Sequence, residues 1–394
     1  LISSDCASGE VCAQLPSDPF CVHSCAQNSD CAGGQVCFQT TDSAGAAAGY
    51  CVEASGACSG VSPADAGSPP VDAGSPTLDA GSAATDAGPT PVDAGSPTFT
   101  SSITAHGGGT ASQLFFAALG DTRPPLPGDD NGYPTAVITQ IFADLQALSP
   151  SPPFVVGTGD YQYTLPGLGT ADQQRQLGYY NTARMGYSGI FWPAMGNHEC
   201  GLFASSGQCN CFPGASNSDA LCGAGKATEN YTVWFDTFIT PIGETVPYYS
   251  RIISATDGSW TAKFIFLAPN YWDATQQTWF QQQLAGPSTT YTFEIHHENS
   301  TASDAPAALA TIESMDVAAH VTLSIVGHTH LWQHNAATAT APEEVICGNG
   351  GAPLDANYMS WGYTTFLRQT DGSIAVTAHD YMTNQAVGSF VVGP

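Results

Sequence analysis

The sequence predicts an α/β domain over residues 101–394, preceded by a small disulfide-rich module at 1–60 and a repeat linker at 61–100. Three observations predict this. Apolar runs alternate with amphipathic segments after Ser101, eight cysteines crowd the first 58 residues, and a seven-residue phrase recurs between these regions. At 394 residues the chain exceeds one ordinary domain of roughly 100–200 residues, so a division into parts is expected.

The module contains Cys6, Cys12, Cys21, Cys25, Cys31, Cys37, Cys51 and Cys58. A segment this short cannot bury an adequate core, and disulfides supply the missing cohesion in oxidising compartments. The intervening spacings of 5, 8, 3, 5, 5, 13 and 6 residues lack the paired short spacings of structural zinc sites. The expected location is therefore outside the cytoplasm, secreted or at the cell surface. A start at Leu1 with no basic-then-apolar leader fits a secreted protein after signal removal, or a trimmed fragment. The module is also the part expected to meet a cell-surface or extracellular partner.

The linker repeats DAGSPPV, DAGSPTL, DAGSAAT, DAGPTPV and DAGSPTF, with Asp at 65, 72, 79, 86 and 93. Glycine in every unit and proline in most remove helix propensity, so the period does not mark a coiled coil. In polyproline-like form it would span on the order of 100 Å, as a spacer would.

Composition excludes some functions. Seven Lys plus Arg against 34 Asp plus Glu give a formal charge of -27, which leaves no basic face for nucleic acid or an anionic membrane. No apolar run approaches the ~18 residues of a membrane span. A hydrophobic fraction of 42% with only 10% charged residues suits a folded core.

In the α/β region, Gln113–Leu119, Phe154–Gly157 and Ile190–Ala194 read as strands, with helices over 134–148 and Ala171–Met185 between them. Val137, Ile138, Ile141, Phe142, Leu145 and Leu148 share one face of the first helix. Further strands are expected at Lys263–Ala268, Thr290–Ile295 and Val321–Val326, with helices at Asp273–Leu284 and Asp304–Ala319, and short β segments follow Gly362.

In α/β sheets the ligand crevice lies at the carboxyl ends of the strands. Five strand ends here carry metal-type side chains: Gly120-Asp121-Thr122-Arg123, Gly159-Asp160-Tyr161-Gln162-Tyr163, Gly196-Asn197-His198-Glu199, His296-His297 and Gly327-His328-Thr329-His330. Five of the ten histidines lie in these loops. Carboxylates bridge hard cations, imidazoles suit zinc, iron or manganese, and an amide adds a neutral ligand. Two such ions can clamp a phosphoryl group and supply the positive charge that so few basic residues cannot.

In order and content these five blocks resemble the calcineurin-like metallophosphoesterases: GD, a second GD, GNH followed by Asp or Glu, a histidine after a strand, and GHxH. The resemblance covers most of 110–394 and none of the first 100 residues. It implies a two-sheet α/β sandwich. Arg123 stands where many members have a ligating histidine, and Tyr163 lies three residues beyond Asp160, as in the GDxxY of purple acid phosphatases. That branch implies two ions, Fe(III) with Zn, Mn or Fe(II). Carried over residue by residue, the first ion takes Asp121, Asp160, Tyr163 and His330. The second takes Asp160 as bridge with Asn197, His296 and His328. His198 is the implied acid or donor at the leaving oxygen, and a metal-bound hydroxide is the implied nucleophile. Arg123 replaces the usual glycine of that branch and either contacts a substrate oxygen or pairs with a nearby carboxylate. His297 reads as a supporting or packing residue, and Tyr161 competes with Tyr163 for the ligand role. Cys200, Cys209, Cys211 and Cys222 read as two disulfides bracing an insertion, and Cys347 as a buried thiol in a strand.

The expected function is a secreted dinuclear phosphoesterase acting on a small phosphate monoester. The alternatives are a phosphodiesterase or nucleotide hydrolase, or a surface adhesion or structural protein with a vestigial phosphatase domain.

Overall fold

The computed structural model describes residues 10–14, 19–23, 35–41, 47–53, 99–165, 170–200, 227–299, 301–302, 305–356, 358 and 360–394. Two units divide the chain, Leu1–Asp93 and Ala94–Pro394. In the first, β1 (Glu10–Gln14) pairs antiparallel with β2 (Pro19–His23), and β3 (Gln35–Thr41) pairs antiparallel with β4 (Ala47–Glu53). The registers set Cys12 opposite Cys21 and Cys37 opposite Cys51. The remaining cysteines of the expected module and the repeat at 61–98 lie outside the described residues.

The second unit begins with β5 (Gly108–Ala111) and β6 (Phe115–Leu119), continues through α1 (Thr135–Ala147), β7 (Phe154–Gly157), α2 (Ala171–Ala183) and β8 (Ile190–Pro193), and turns into the short α3 (Asn197–Cys200). After α4 (Glu229–Trp234) come β9 (Tyr249–Ala255), β10 (Thr261–Phe266), α5 (Ala274–Ala285), β11 (Tyr291–Ile295), α6 (Leu309–Ala319) and β12 (Leu323–Val326). The chain ends with β13 (Trp332–Asn335), β14 (Glu344–Cys347), β15 (Gly362–Arg368), β16 (Ile374–Asp380) and β17 (Ala386–Val392).

These strands form two mixed sheets. One runs β17-β16-β15-β6-β7-β8 and the other β13-β14-β12-β11-β10-β9-β5. In the first, β6, β7 and β8 are parallel; in the second, β10, β11, β12 and β14 are parallel. The sheets meet through aromatic rings. Phe116 of β6 packs edge-on against Phe264 of β10 at 5.0 Å and Phe293 of β11 at 5.2 Å, and Phe154 of β7 meets Phe264 at 5.2 Å. Each fully buried Phe contributes roughly 1.5–3 kcal/mol of transfer free energy, and edge-to-face pairing adds to it. Strand alternation sends Ile265 and Leu267 to the opposite face, where Phe280 of α5 and Leu309 and Ile312 of α6 cover them.

The face expected for α1 is buried at Val137, Ile138, Ile141, Phe142 and Leu145, and Phe142 meets Tyr180 of α2 at 6.0 Å. Three features differ from the sequence reading. α6 starts at Leu309 and not at 304, because Pro306 withholds a donor and disfavours helical backbone just before it. β9 carries the buried Arg251, which reads as a break in an apolar strand. Its guanidinium is satisfied by Glu244 and by the Ala105 and Ile242 carbonyls. α4 follows an insertion with no clear apolar period. Cys347 is a free, buried thiol in β14 that donates to Thr364 Oγ1 at 3.3 Å. Among the described residues no helix is long and apolar enough to cross a membrane.

Candidate metal centre

All five motif loops leave the carboxyl ends of parallel strands. Asp121 follows β6, Asp160 follows β7, α3 follows β8, His297 follows β11, and His328 and His330 follow β12. Six non-glycine residues among those described have positive φ, and four of them are Asp121 (56°), Asp160 (60°), His328 (75°) and His330 (52°). Each such conformation costs on the order of 1–3 kcal/mol and persists only where the surroundings enforce it. Here that strain collects where the motifs aim their side chains.

The loops hold one another by backbone contacts. Asp121 N–H donates to the Gly159 carbonyl at 3.0 Å and Thr122 N–H to the Asp160 carbonyl at 2.9 Å. His328 N–H donates to Asp121 Oδ2 at 2.8 Å, and His198 N–H to Asp160 Oδ1 at 3.1 Å. Gly159, at φ +105°, lies so close that a Cβ there would stand 2.7 Å from His297 Nδ1 and 2.8 Å from the Gly196 backbone. Only glycine allows this approach.

Glu199 is a site residue that the sequence reading passed over. Its carboxylate is fully buried and accepts from the backbone N–H groups of Asp160 (2.9 Å), Tyr161 (2.9 Å) and Gly196 (2.8 Å). It therefore fixes the second loop against the third. Burial, then the Asp160 carboxylate, push its pKa up to about 8, against the pull of the backbone N–H groups. The signal was the acidic residue after GNH, quoted as part of the motif but given no task.

Asp121, Asp160 and His330 offer ligand atoms that all lie within 4.8 Å of one another. Beside them His297 Nε2 stands 3.0 Å from Asn197 Oδ1, 3.3 Å from Asp160 Oδ1, 4.0 Å from Asp121 Oδ1 and 3.2 Å from His328 Nδ1. Its Nδ1 lies 2.7 Å from the Thr158 carbonyl, which can only accept, so Nδ1 carries a proton. So many acceptors around one ring nitrogen need positive charge among them. Burial would lower the His297 pKa, but the Asp160 and Asp121 carboxylates hold it well above the ordinary histidine value. Burial would raise that of Asp160, yet His297, His198 and Arg123 hold it well below the usual carboxylate range.

The imidazole brought to the carboxylates is thus His297 rather than His296. Side chains two apart share a face along a strand, so His296 leaves β11 on the Glu294 side and His297 on the other. His296 Nδ1 pairs with Glu294 Oε2 at 2.7 Å, away from the Asp121 and Asp160 carboxylates. Removal of His297 (His297→Ala) is expected to weaken Mn2+ binding by at least the 10–100-fold seen on loss of an outer supporting group. His296→Ala should leave affinity within a few-fold and lower thermal stability instead. Calorimetric titration of both variants checks this.

The other expected residues fall as follows. Asn197 opens α3 and reaches His297. His198 is buried, with Nε2 3.7 Å from Asp160 Oδ2, and burial lowers its pKa to about 3 despite that carboxylate. Tyr163 is half-buried, its ring 4.2 Å from that of His198 and 4.6 Å from the Arg123 guanidinium carbon. Tyr161 is instead a core residue among Tyr180, Phe191 and Phe238 and does not compete. Arg123 pairs with Asp160, and His330 Nδ1 lies 2.6 Å from the Pro353 carbonyl. Cys200 is disulfide-bonded; Cys209, Cys211 and Cys222 lie outside the described residues.

No protein-family model matches the sequence, and no curated protein does. Among solved structures, the chain is similar to GAP50, described as the anchor in the inner membrane complex of Plasmodium, at 14% identity and TM-score 0.48 over 72% of this chain and 89% of that one. It is similar to a purple acid phosphatase from yellow lupin seeds at 15% identity and TM-score 0.46, over 71% of this chain and 53% of that one, so it spans about half that protein. A dimetal phosphatase from Danio rerio gives 12% identity and TM-score 0.45, over 71% and 98%. The two phosphatases are calcineurin-like metallophosphoesterases.

The donor set fits a cation by its own chemistry. Asp121 Oδ1 is buried and has no hydrogen-bond partner among the described residues, an arrangement that costs on the order of 1–3 kcal/mol unless something positive satisfies it. Carboxylates, an amide oxygen and imidazoles suit Zn, Mn or Fe.

Proposed function

We propose that residues 99–394 hydrolyse phosphate esters, monoesters foremost, in a metal-dependent reaction. The observation that carries this is the convergence of Asp121, Asp160, Asn197, His297, His328 and His330 from five strand-end loops, four of these residues in left-handed backbone. A cation held by these side chains would polarise a phosphoryl oxygen and lower the pKa of a water molecule. Asp160 and Asp121 supply the negative charge that holds it, and Asn197 adds an uncharged oxygen. His198 stays neutral through burial, so it can donate a hydrogen bond to the leaving oxygen without adding charge. Arg123, with a side chain 14% exposed, borders the same space. The eight-cysteine segment, the repeat and the disulfide at Cys200 support export, with the N-terminal segment meeting an extracellular partner.

The test is turnover of an aryl phosphate beside a bis-aryl phosphate, before and after EDTA treatment. Faster, EDTA-sensitive turnover of the monoester is expected. Preference for the diester would reassign the substrate class. A second reading, a binding or scaffold domain, is favoured by the Arg123 guanidinium on Asp160 and His330. It predicts that metal is retained while neither ester is cleaved.

A further inference from the structure

We infer that Asn299 is a positioning residue for the cation: its buried carboxamide clamps the turn that carries His328 and His330, and so holds His330 against the two carboxylates. The inference rests on the phosphoesterase reading for the meaning of the ligand set, while its test reads ion affinity rather than turnover. Thr329 N–H donates to the Gly327 carbonyl at 3.0 Å, with His328 between them at φ 75°. A three-residue turn closed at positive φ is rare and strained. His330 follows at φ 52°, again in left-handed backbone. Two such residues, neither of them glycine and only one residue apart, keep this shape only where neighbouring groups enforce it.

The shape of the turn sets the ion site. It sends the His328 N–H to Asp121 Oδ2 at 2.8 Å and places His330 Nε2 3.5 Å from Asp121 Oδ1. His330 is the imidazole of the ligand group formed with Asp121 and Asp160. A turn relaxed toward ordinary backbone would carry away that imidazole together with the N–H that orients Asp121.

Asn299, fully buried two residues beyond His297, supplies the restraint. Its Oδ1 accepts from the Thr301 N–H at 3.1 Å and from the Thr301 hydroxyl at 2.7 Å. A backbone N–H can only donate, so the oxygen end of the amide is identified and the Nδ2 end faces the turn. Nδ2 donates to Thr329 Oγ1 at 3.1 Å and lies 3.5 Å from the Gly327 carbonyl. It thus grips the turn on both sides of His328. The Gly327 N–H donates in addition to the His297 carbonyl at 2.8 Å, so the loop after β12 is tied to the loop after β11 at separate points. The side chain at 299 must accept at one end and donate at the other, which a carboxamide does and a carboxylate or hydrocarbon does not.

The test is calorimetric titration of the EDTA-stripped full chain with Mn2+, well below its melting temperature. Asn299→Ala is expected to weaken binding about 10–100-fold, the scale of losing an outer supporting group. Thr329→Val, which deletes the acceptor at the far end of the contact, should weaken it as well, and Thr329→Ser, which keeps the hydroxyl, should stay within a few-fold of native. Adding Thr329→Val to Asn299→Ala should cost nothing further, because both remove one contact. Circular dichroism melts establish which variants are folded. A role confined to packing would lower the melt and leave the affinity of the folded protein unchanged, so native affinity in folded Asn299→Ala and Thr329→Val overturns the inference. Additive losses in the double variant, or no Mn2+ uptake by the native chain, overturn it too. Should neither single variant fold, the Asn299 side-chain amide protons of the native chain decide: slow exchange with solvent supports the clamp and fast exchange overturns it. A native chain that binds Mn2+ and loses it in these variants, yet cleaves no phosphate ester, supports this inference while sinking the phosphoesterase reading.

Discussion

Replacing Asp160 by alanine should abolish Mn2+ loading and lower phosphate-ester turnover by at least about a thousandfold, the scale of losing an electrostatic group in a site. Asp160 touches every part of the centre. One oxygen accepts from the His198 backbone and faces His297, and the other faces Arg123 and His198. Without it, the half-buried Arg123 and the buried His297 lose the carboxylate they share, and the remaining donors no longer share a common oxygen. The effect should separate from unfolding in Asp160→Asn, which keeps the shape and one acceptor but lacks the charge. This variant should melt within several degrees of the native protein and still hold less than a tenth of its metal at equal free Mn2+. Native metal content in a folded Asp160→Asn protein would remove Asp160 from the ligand set.

Glu199→Ala should destabilise more than any ligand substitution. Three buried backbone N–H groups lose their acceptor at once, and each unsatisfied group costs on the order of 1–3 kcal/mol. Relief by water entering the vacated volume lowers the sum, so a loss of about 3–6 kcal/mol is expected. For a domain of this size that is a melting-point drop of roughly 5–10 °C. Glu199→Gln retains one carbonyl oxygen as acceptor and should lose about half as much. A melt of Glu199→Ala within a degree or two of native would mean that the three contacts contribute nothing net to the fold.

Strand-helix alternation was readable because β6 and β7 are uninterrupted apolar runs, as strands buried on both faces must be, and β10 and β11 stay mostly apolar around Lys263 and Glu294. The two-sheet arrangement was not readable from periodicity, since nothing in those runs says which strands pair. That expectation came from the resemblance, and the two mixed sheets agree with it. β9 was hidden by Arg251, whose partners Glu244, Ala105 and Ile242 are remote from any local pattern. At the centre, the ligand types were legible in the loops. The choice between His296 and His297 was not, because it depends on which face of β11 looks toward Asp160, and a one-residue shift reverses the face. The position of Arg123 across Asp160 and His330 depends on loops 37 and 207 residues away in sequence. Glu199 was visible as a letter in a motif, but its three donors are backbone groups, which no side-chain pattern reveals.

The order of strands also bears on how the chain is made. In the first sheet β6 lies between β7 and β15, so one flank of a strand near residue 115 stays open until residues 362–368 arrive. The Gly120 amide likewise waits for the Cys347 carbonyl, 2.9 Å away in the finished fold. Ribosomal synthesis runs from the amino end, so neither the completed sheet nor the cation pocket can exist in a nascent chain that lacks its last segments. A chain of this topology would hold a cation at this centre only as a finished polypeptide.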